Sequence, residues 1–383
     1  MKTSFANLSF SLPLVLLLYS TGIMQVPTPF PTVDEPVKVV TEEVKLNVMA
    51  RSYGRFVPTL KPDDLLIVEE GTPQVITSMR RVPANVLLLL DMGGDLNLGK
   101  STAMTRLTAK ILIDNLLPED TIAAIQYSDK IETVSDWTKD RDAIFDGLDR
   151  RLLSGKRSRF SDALNSAVAS FNARPLENRH LVLISDGLES VADDTAQANA
   201  LQNILAANIT IHVISYTQLA AEQANKASRR VTFGKGDTKP RIPDYIFEDF
   251  IRSVPARSPR VQAEIQNFLR AGNQSQRLVI ISLDNKRVTF LRKRVADLRE
   301  SETTMQTLAE NTGGAFQAPE EPVTMLKFAL EVAGVIGSQY VVTYSPTKPT
   351  ASSLHSETRK VRVGTHCDGI EIRSRQKLIL HRR

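Results

Sequence analysis

Between Asn85 and Asp91 the chain reads NVLLLLD, five apolar residues in a row. Such a run suits a strand covered on both faces, as in a parallel sheet. His180 to Ser185 (HLVLIS) and Ile209 to Tyr216 (ITIHVISY) repeat the pattern, and Thr121 to Tyr127 and Lys130 to Val134 read as further strands. Between them the spacing changes to the helical period. Met104, Leu107, Ile111 and Leu112 predict a helix over Ser101 to Leu117, and similar spacing predicts helices over Asp140 to Leu153, Ser161 to Phe171 and Thr195 to Ala207. Strand and helix alternate, which predicts an α/β domain with a mainly parallel sheet. Ligands of such sheets bind at the carboxyl ends of the strands, and Asp91 and Asp186 stand at two of those ends.

The two ends of the chain are strand-rich. Val44 to Val48 alternates apolar and polar, Asp63 to Gly71 reads as a strand and turn, and Gln74 to Arg80 as one more strand. Tyr340 to Tyr344, Lys360 to Val363 and Ile370 to Arg373 are closing strands, after helices over Met305 to Glu310 and Val323 to Ile336. Neither end can bury much surface alone, so both are expected to pack as one small β-module. Residues 218–302 break the α/β rhythm. Lys and Arg outnumber Asp and Glu there, and Leu278 to Leu283 with Arg287 to Leu291 predicts a hairpin turning at Asp284-Asn285. The expected organisation is a leader over 1–24, a Pro-rich linker over 25–36 and a β-module over 37–82. An α/β domain follows over 83–217 and 303–336, interrupted by the basic insertion 218–302, and residues 337–383 supply the last strands.

The leader follows from Lys2, the uncharged run Leu8 to Tyr19, and the small polar residues Ser20, Thr21 and Gly22. This is the layout of a secretory signal, and the run is short of the roughly 20 apolar residues of a membrane-spanning helix. The expected product is exported, to a periplasm, a cell surface or the medium, without a transmembrane helix once the leader is removed. The single cysteine, Cys367, fits an oxidising compartment and excludes an internal disulfide framework. A net charge of +5 and an aromatic content of 6% argue against nucleic acid as a partner.

One order of motifs is distinctive. The segment VKLNVMARSYGRFVPTLKPDDLLIVEEGTPQVI precedes NVLLLLDMGGD, and LVLISDG lies about 95 residues on; LAENTGGAF, SQYVVTYSP and RKVRV follow. This resembles the bacterial von Willebrand factor A-related proteins typical of Acidobacteria. The resemblance implies a Rossmann-like von Willebrand factor A domain flanked by the β-module, and a metal-ion-dependent adhesion site. In that site a first loop reads Asp-x-Ser-x-Ser, a second gives Thr and a third gives Asp. Asp91 and Asp186 match the two aspartates, Gly93 and Asp95 replace the two serines, and Ser158 stands at the threonine position. Asp91, Asp95, Ser158 and Asp186 form a degenerate set that suits Mg²⁺ or Ca²⁺, both of which take oxygen ligands. The other reading of the same loops is a vestigial site without metal, its carboxylates neutralised by Lys156 and Arg157.

The function expected from these features is recognition of a protein partner or a surface by a chain that is not an enzyme. Two alternatives stand beside it. Gly94 to Ser101 (GDLNLGKS) matches G-x-x-x-x-G-K-[ST] between a strand and a helix, which would put Lys100 on a nucleotide phosphate. Against this, Asp95, Leu96 and Leu98 stand where phosphate needs amides and close approach. The basic insertion would instead suit an acidic polymer or a membrane surface. Neither G-x-S-x-G nor H-E-x-x-H occurs, and His212, inside an apolar strand, reads as a core residue.

Overall fold

The computed structural model describes residues 43–94, 100–175, 177–191, 193–228, 256–272, 285–348 and 357–380. The leader, the linker, Asp95 and the run Leu278 to Leu283 lie outside the described residues. In chain order, β1 (Val44–Ser52), β2 (Arg55–Phe56), β3 (Leu65–Glu69), β4 (Thr72–Gln74) and β5 (Ile76–Arg80) come first. They are followed by β6 (Asn85–Asp91), α1 (Thr102–Asn115), β7 (Thr121–Tyr127), β8 (Ile131–Thr138), α2 (Arg141–Arg151) and α3 (Phe160–Phe171). Next are β9 (Arg179–Ser185), α4 (Asp194–Ala206), β10 (Thr210–Ser215) and α5 (Thr217–Ser228). Then come α6 (Pro259–Gly272), α7 (Asn285–Thr312), β11 (Phe316–Gln317) and α8 (Pro322–Ile336). The last strands are β12 (Gln339–Tyr344), β13 (Glu357–Thr365), β14 (Glu371–Ser374) and β15 (Lys377–Leu380).

The central sheet has the order β11-β10-β9-β6-β7-β8. All its pairings are parallel except β7 with β8. Successive side chains of a strand point to opposite faces. Val86, Leu88 and Leu90 of β6 therefore join one core with α1, α2, α6 and α8, while Leu87 and Leu89 join a second core with α3, α4 and α7. This two-sided covering is why β6 carries an unbroken apolar run. It also leaves the strands' carboxyl ends as the place where polar side chains gather.

The β-module is assembled from both chain ends, as the sequence predicts. β1 pairs antiparallel with β12 and β14, and β3 with β13. Val44, Leu46, Val48 and Ala50 of β1 share one core with Ile67, Val342, Tyr344 and Val361. Inside it Arg359, 1% exposed, pairs with Glu69 at 2.6 Å. Arg375 ties the module to the α/β layer by donating to the carbonyls of Leu205 (3.1 Å) and Ile209 (3.0 Å).

The hairpin expected near residue 285 is corrected by the structure: Arg287 to Leu291 lies in the helix α7. Leu291, Val295, Leu298, Met305 and Leu308 of α7 are buried at three- and four-residue steps or multiples of them. A window of five residues is too short to separate that period from a strand's. α6 opens on Pro259, where a missing N–H costs nothing. Asp114 of α1 accepts the amides of Arg257 and Ser258 just before it, and Lys110 of α1 pairs with Glu264. No helix among the described residues is long and apolar enough to cross a membrane.

His180 and His212 lie side by side on β9 and β10, fully buried and stacked, with ring centroids 5.3 Å apart. The amide of Ala315 donates to His212 Nδ1, so the His212 proton sits on Nε2 and faces His180 Nδ1 at 3.1 Å. His180 then donates from Nε2 to Asn178 Oδ1 at 2.7 Å. Each imidazole is neutral with every nitrogen used.

Candidate functional site

β6 ends in Asp91 and β9 ends beside Asp186, so parallel pairing puts both carboxylates at the same edge of the sheet. The loop before α3 brings Ser158 alongside, and all three residues are buried. Asp95 lies outside the described residues, so the structure assembles Asp91, Ser158 and Asp186 of the expected set.

The centre of the cluster holds a residue that sequence reasoning assigned to a different role. Lys100 Nζ lies 2.8 Å from Asp91 Oδ2, 2.9 Å from Asp186 Oδ2 and 3.1 Å from the Gly93 carbonyl oxygen. Its side chain is 2% exposed. Lys100 directly precedes Ser101, which caps α1 by accepting the Met104 amide at 3.0 Å. A cation at a helix N-terminus opposes the helix dipole, so the two carboxylates hold the lysine there. Lys156 and Arg157, the cations expected to neutralise the loop, are exposed.

The rest of the network fixes the carboxylates. Gly93 N–H donates to Asp91 Oδ1 at 3.0 Å, and Leu188 N–H to Asp186 Oδ1 at 3.1 Å. Ser185 donates to Asp91 Oδ2 at 2.9 Å and meets the Tyr127 hydroxyl at 2.6 Å. Burial pushes the Asp91 carboxyl up, partly offset by Lys100. For Lys100 burial acts downward, but Asp186 and Asp91 outweigh it and raise the ammonium above its ordinary value. Tyr127 is pushed well up by burial and by the Asp91 charge, so its hydroxyl stays protonated.

The site is closed as well as filled. A Cβ at Gly93 would lie 2.0 Å from the Arg157 carbonyl oxygen, so the second loop packs on backbone where the family pattern has a serine. Ser158 N–H donates to Ser190 Oγ at 2.6 Å, and Ser190 N–H returns to the Ser158 carbonyl at 2.9 Å. α7 covers the third loop: Ser301 donates to the Asp186 carbonyl at 2.7 Å, and Arg294 reaches Asp186 Oδ2 at 3.8 Å.

A divalent cation does not fit this donor set as it stands. Mg²⁺ and Ca²⁺ bind oxygens at roughly 2.0–2.6 Å, and the space between the two carboxylates is taken by an ammonium. No group of three or more His, Cys, Asp or Glu among the described residues is arranged to hold a metal. The nucleotide alternative gains nothing from this geometry either. The Lys100 ammonium donates to Asp91 Oδ2 and the Gly93 carbonyl and is ion-paired with Asp186 Oδ2, and at 2% exposure it is not presented to a phosphate. Ser185, Tyr127 and Arg294 were not legible as partners, because each reaches the cluster only through the fold.

Residues 86–189 match the family model of the von Willebrand factor type A domain. No curated protein matches the chain. Among solved structures, the chain is similar to the vWF domain of the type V pili tip protein Mfa5 from Porphyromonas gingivalis. Identity there is 22% over 28% of this chain and 39% of that one, with a TM-score of 0.26. It is similar to a von Willebrand factor type A protein from Catenulispora acidiphila at 9% identity, covering 89% of this chain and 75% of the other, with a TM-score of 0.42. A third is the manganese-loaded TRAP protein of Plasmodium vivax, at 10% identity over 87% of this chain and 97% of that one, with a TM-score of 0.35. The alternating strands and helices, the two buried aspartates at the sheet's carboxyl edge and the family match agree: the chain carries a von Willebrand factor type A domain.

Proposed function

We propose that this is an exported, non-enzymatic recognition protein whose von Willebrand factor type A domain binds a protein partner through the rim of the loops around Asp91, Ser158 and Asp186. The observation that carries the reading is the contrast between the centre and the rim of that face. The polar centre is buried and internally paired, whereas Leu153 and Val191 on the surrounding loops are 62% and 65% exposed. Lys156, Arg157 and Arg159 are exposed beside them. Exposed apolar side chains with cations beside them suit a partner with apolar and acidic groups. Export rests on the uncharged run Leu8 to Tyr19 after Lys2. The placement among relatives typical of Acidobacteria rests on the order of motifs along the chain.

The test is site-specific photocrosslinking in the producing cell. A crosslinker at Val191 or Leu153 should capture one discrete partner, and the same group at Val75, which is 81% exposed on the β-module, should not. Capture should persist in chelator and be lost in Val191→Asp. Equal labelling at all three positions, or release of the partner by chelator, would refute the reading.

A further inference from the structure

We infer that Lys100 and Arg294 together are this protein's built-in replacement for a divalent cation, so that the loops are organised without metal and the cation site is latent in the chain. The first ground is position. The Lys100 ammonium lies between the two aspartates that terminate β6 and precede the third loop, in contact with both. The second is charge. Two buried carboxylates need two positive charges to be balanced; Lys100 supplies one and the Arg294 guanidinium, 3.8 Å from Asp186 Oδ2, the other. The two cations converge on one point: a Cβ at Gly94 would lie 3.8 Å from Lys100 Nζ and 3.9 Å from Arg294 Nη2. The third ground is an oxygen left over. Ser158 Oγ is buried with no hydrogen-bond partner, although the Ser158 backbone lies against Gly93. A buried hydroxyl without a partner is costly, and it is the type of neutral ligand that a hard cation takes, whereas the Lys100 ammonium bonds Asp91 and the Gly93 carbonyl and not this hydroxyl.

Two consequences separate this from a lysine that merely fills space. The native chain should be indifferent to divalent cations. Removing the ammonium while leaving room should create a cation site from Asp91, Asp186 and Ser158. Removing the charge while keeping the volume should not.

The experiment uses the full chain with Mn²⁺ as the probe, read by thermal unfolding in chelator and in Mn²⁺ and by counting bound metal. Wild type should hold no Mn²⁺ and unfold at one temperature in both media. Lys100→Ala should unfold several degrees lower in chelator, bind one Mn²⁺ and regain most of the loss. Lys100→Met should be destabilised but stay blind to Mn²⁺, and Lys100→Ala with Asp186→Asn should lose the Mn²⁺ response. Should Lys100→Ala fail to fold in chelator, refolding with and without Mn²⁺ becomes the readout, and recovery only with Mn²⁺ is the expected result. One Mn²⁺ in the wild type that disappears in Asp186→Asn would overturn the inference. So would a Lys100→Ala chain that ignores Mn²⁺, whether by folding without a response or by failing to refold in its presence.

Discussion

Lowering the pH from 7 to 5 should destabilise this protein through two side chains far from any surface. His180 and His212 are fully buried, and burial holds both below the ordinary histidine value of 6.5, His212 at about 3 and His180 well down, each pushed further by a neighbouring positive or ionisable group. The structure explains why neither takes a second proton. A proton on His212 Nδ1 would face the Ala315 N–H, and one on His180 Nδ1 would face the His212 Nε2–H. The unfolded chain has no such restriction and protonates near 6.5. A depressed value in the folded state means that stability is fully present above 6.5 and is lost as pH falls from there toward 3. For His212 the loss between pH 7 and pH 5 is about 2 kcal/mol. His180 acts in the same direction, so the pair should cost about 2–4 kcal/mol. Asp91 and Asp120, whose carboxyls burial raises, act oppositely in this interval. The comparison must therefore be made against a chain without the pair, such as His180→Gln with His212→Leu. Denaturant unfolding of both chains at the two pH values gives the difference. If wild type loses no more stability than the double variant, the assignment of neutral, proton-excluding imidazoles is wrong.

Two further predictions concern single contacts. Arg375→Ala removes the donor to the Leu205 and Ile209 carbonyls. It should cost about 2–4 kcal/mol in denaturant unfolding, and an unchanged midpoint would mean that water serves those carbonyls equally well. Gly93→Ser restores a hydroxyl of the family pattern but drives a Cβ into the Arg157 carbonyl. It should destabilise the chain by about 1–3 kcal/mol without conferring Mn²⁺ binding, since Lys100 stays in place; calorimetric titration with Mn²⁺ showing a new site would contradict the closed-loop geometry.

Much of the architecture was legible because it follows from short-range periods. The five apolar residues after Asn85 announce a strand covered on both faces, and β6 is one. The helical period of Met104, Leu107, Ile111 and Leu112 announces a helix, and α1 is one, with Ser101 as its cap. The union of the chain ends followed from how little surface each could bury alone. Arg287 to Leu291 misled because five residues do not separate a two-residue period from a helical one, and it was the packing of Leu291, Val295 and Leu298 that resolved it.

The sequence by itself determined that Asp91 and Asp186 would meet, since parallel strands pairing in register carry their following loops to one edge. It could not say what neutralises them. Lys156 and Arg157 were as near in the chain to the site's loops as Lys100, and Arg294 sits 108 residues beyond Asp186 on a helix whose path only packing sets. The choice falls to Lys100 because the start of α1 aims its side chain inward while Lys156 and Arg157 remain in water. Removing a charge from water is costly unless an opposite charge waits at hydrogen-bond distance. Those distances come into being only when three loops and α7 close over the end of the sheet.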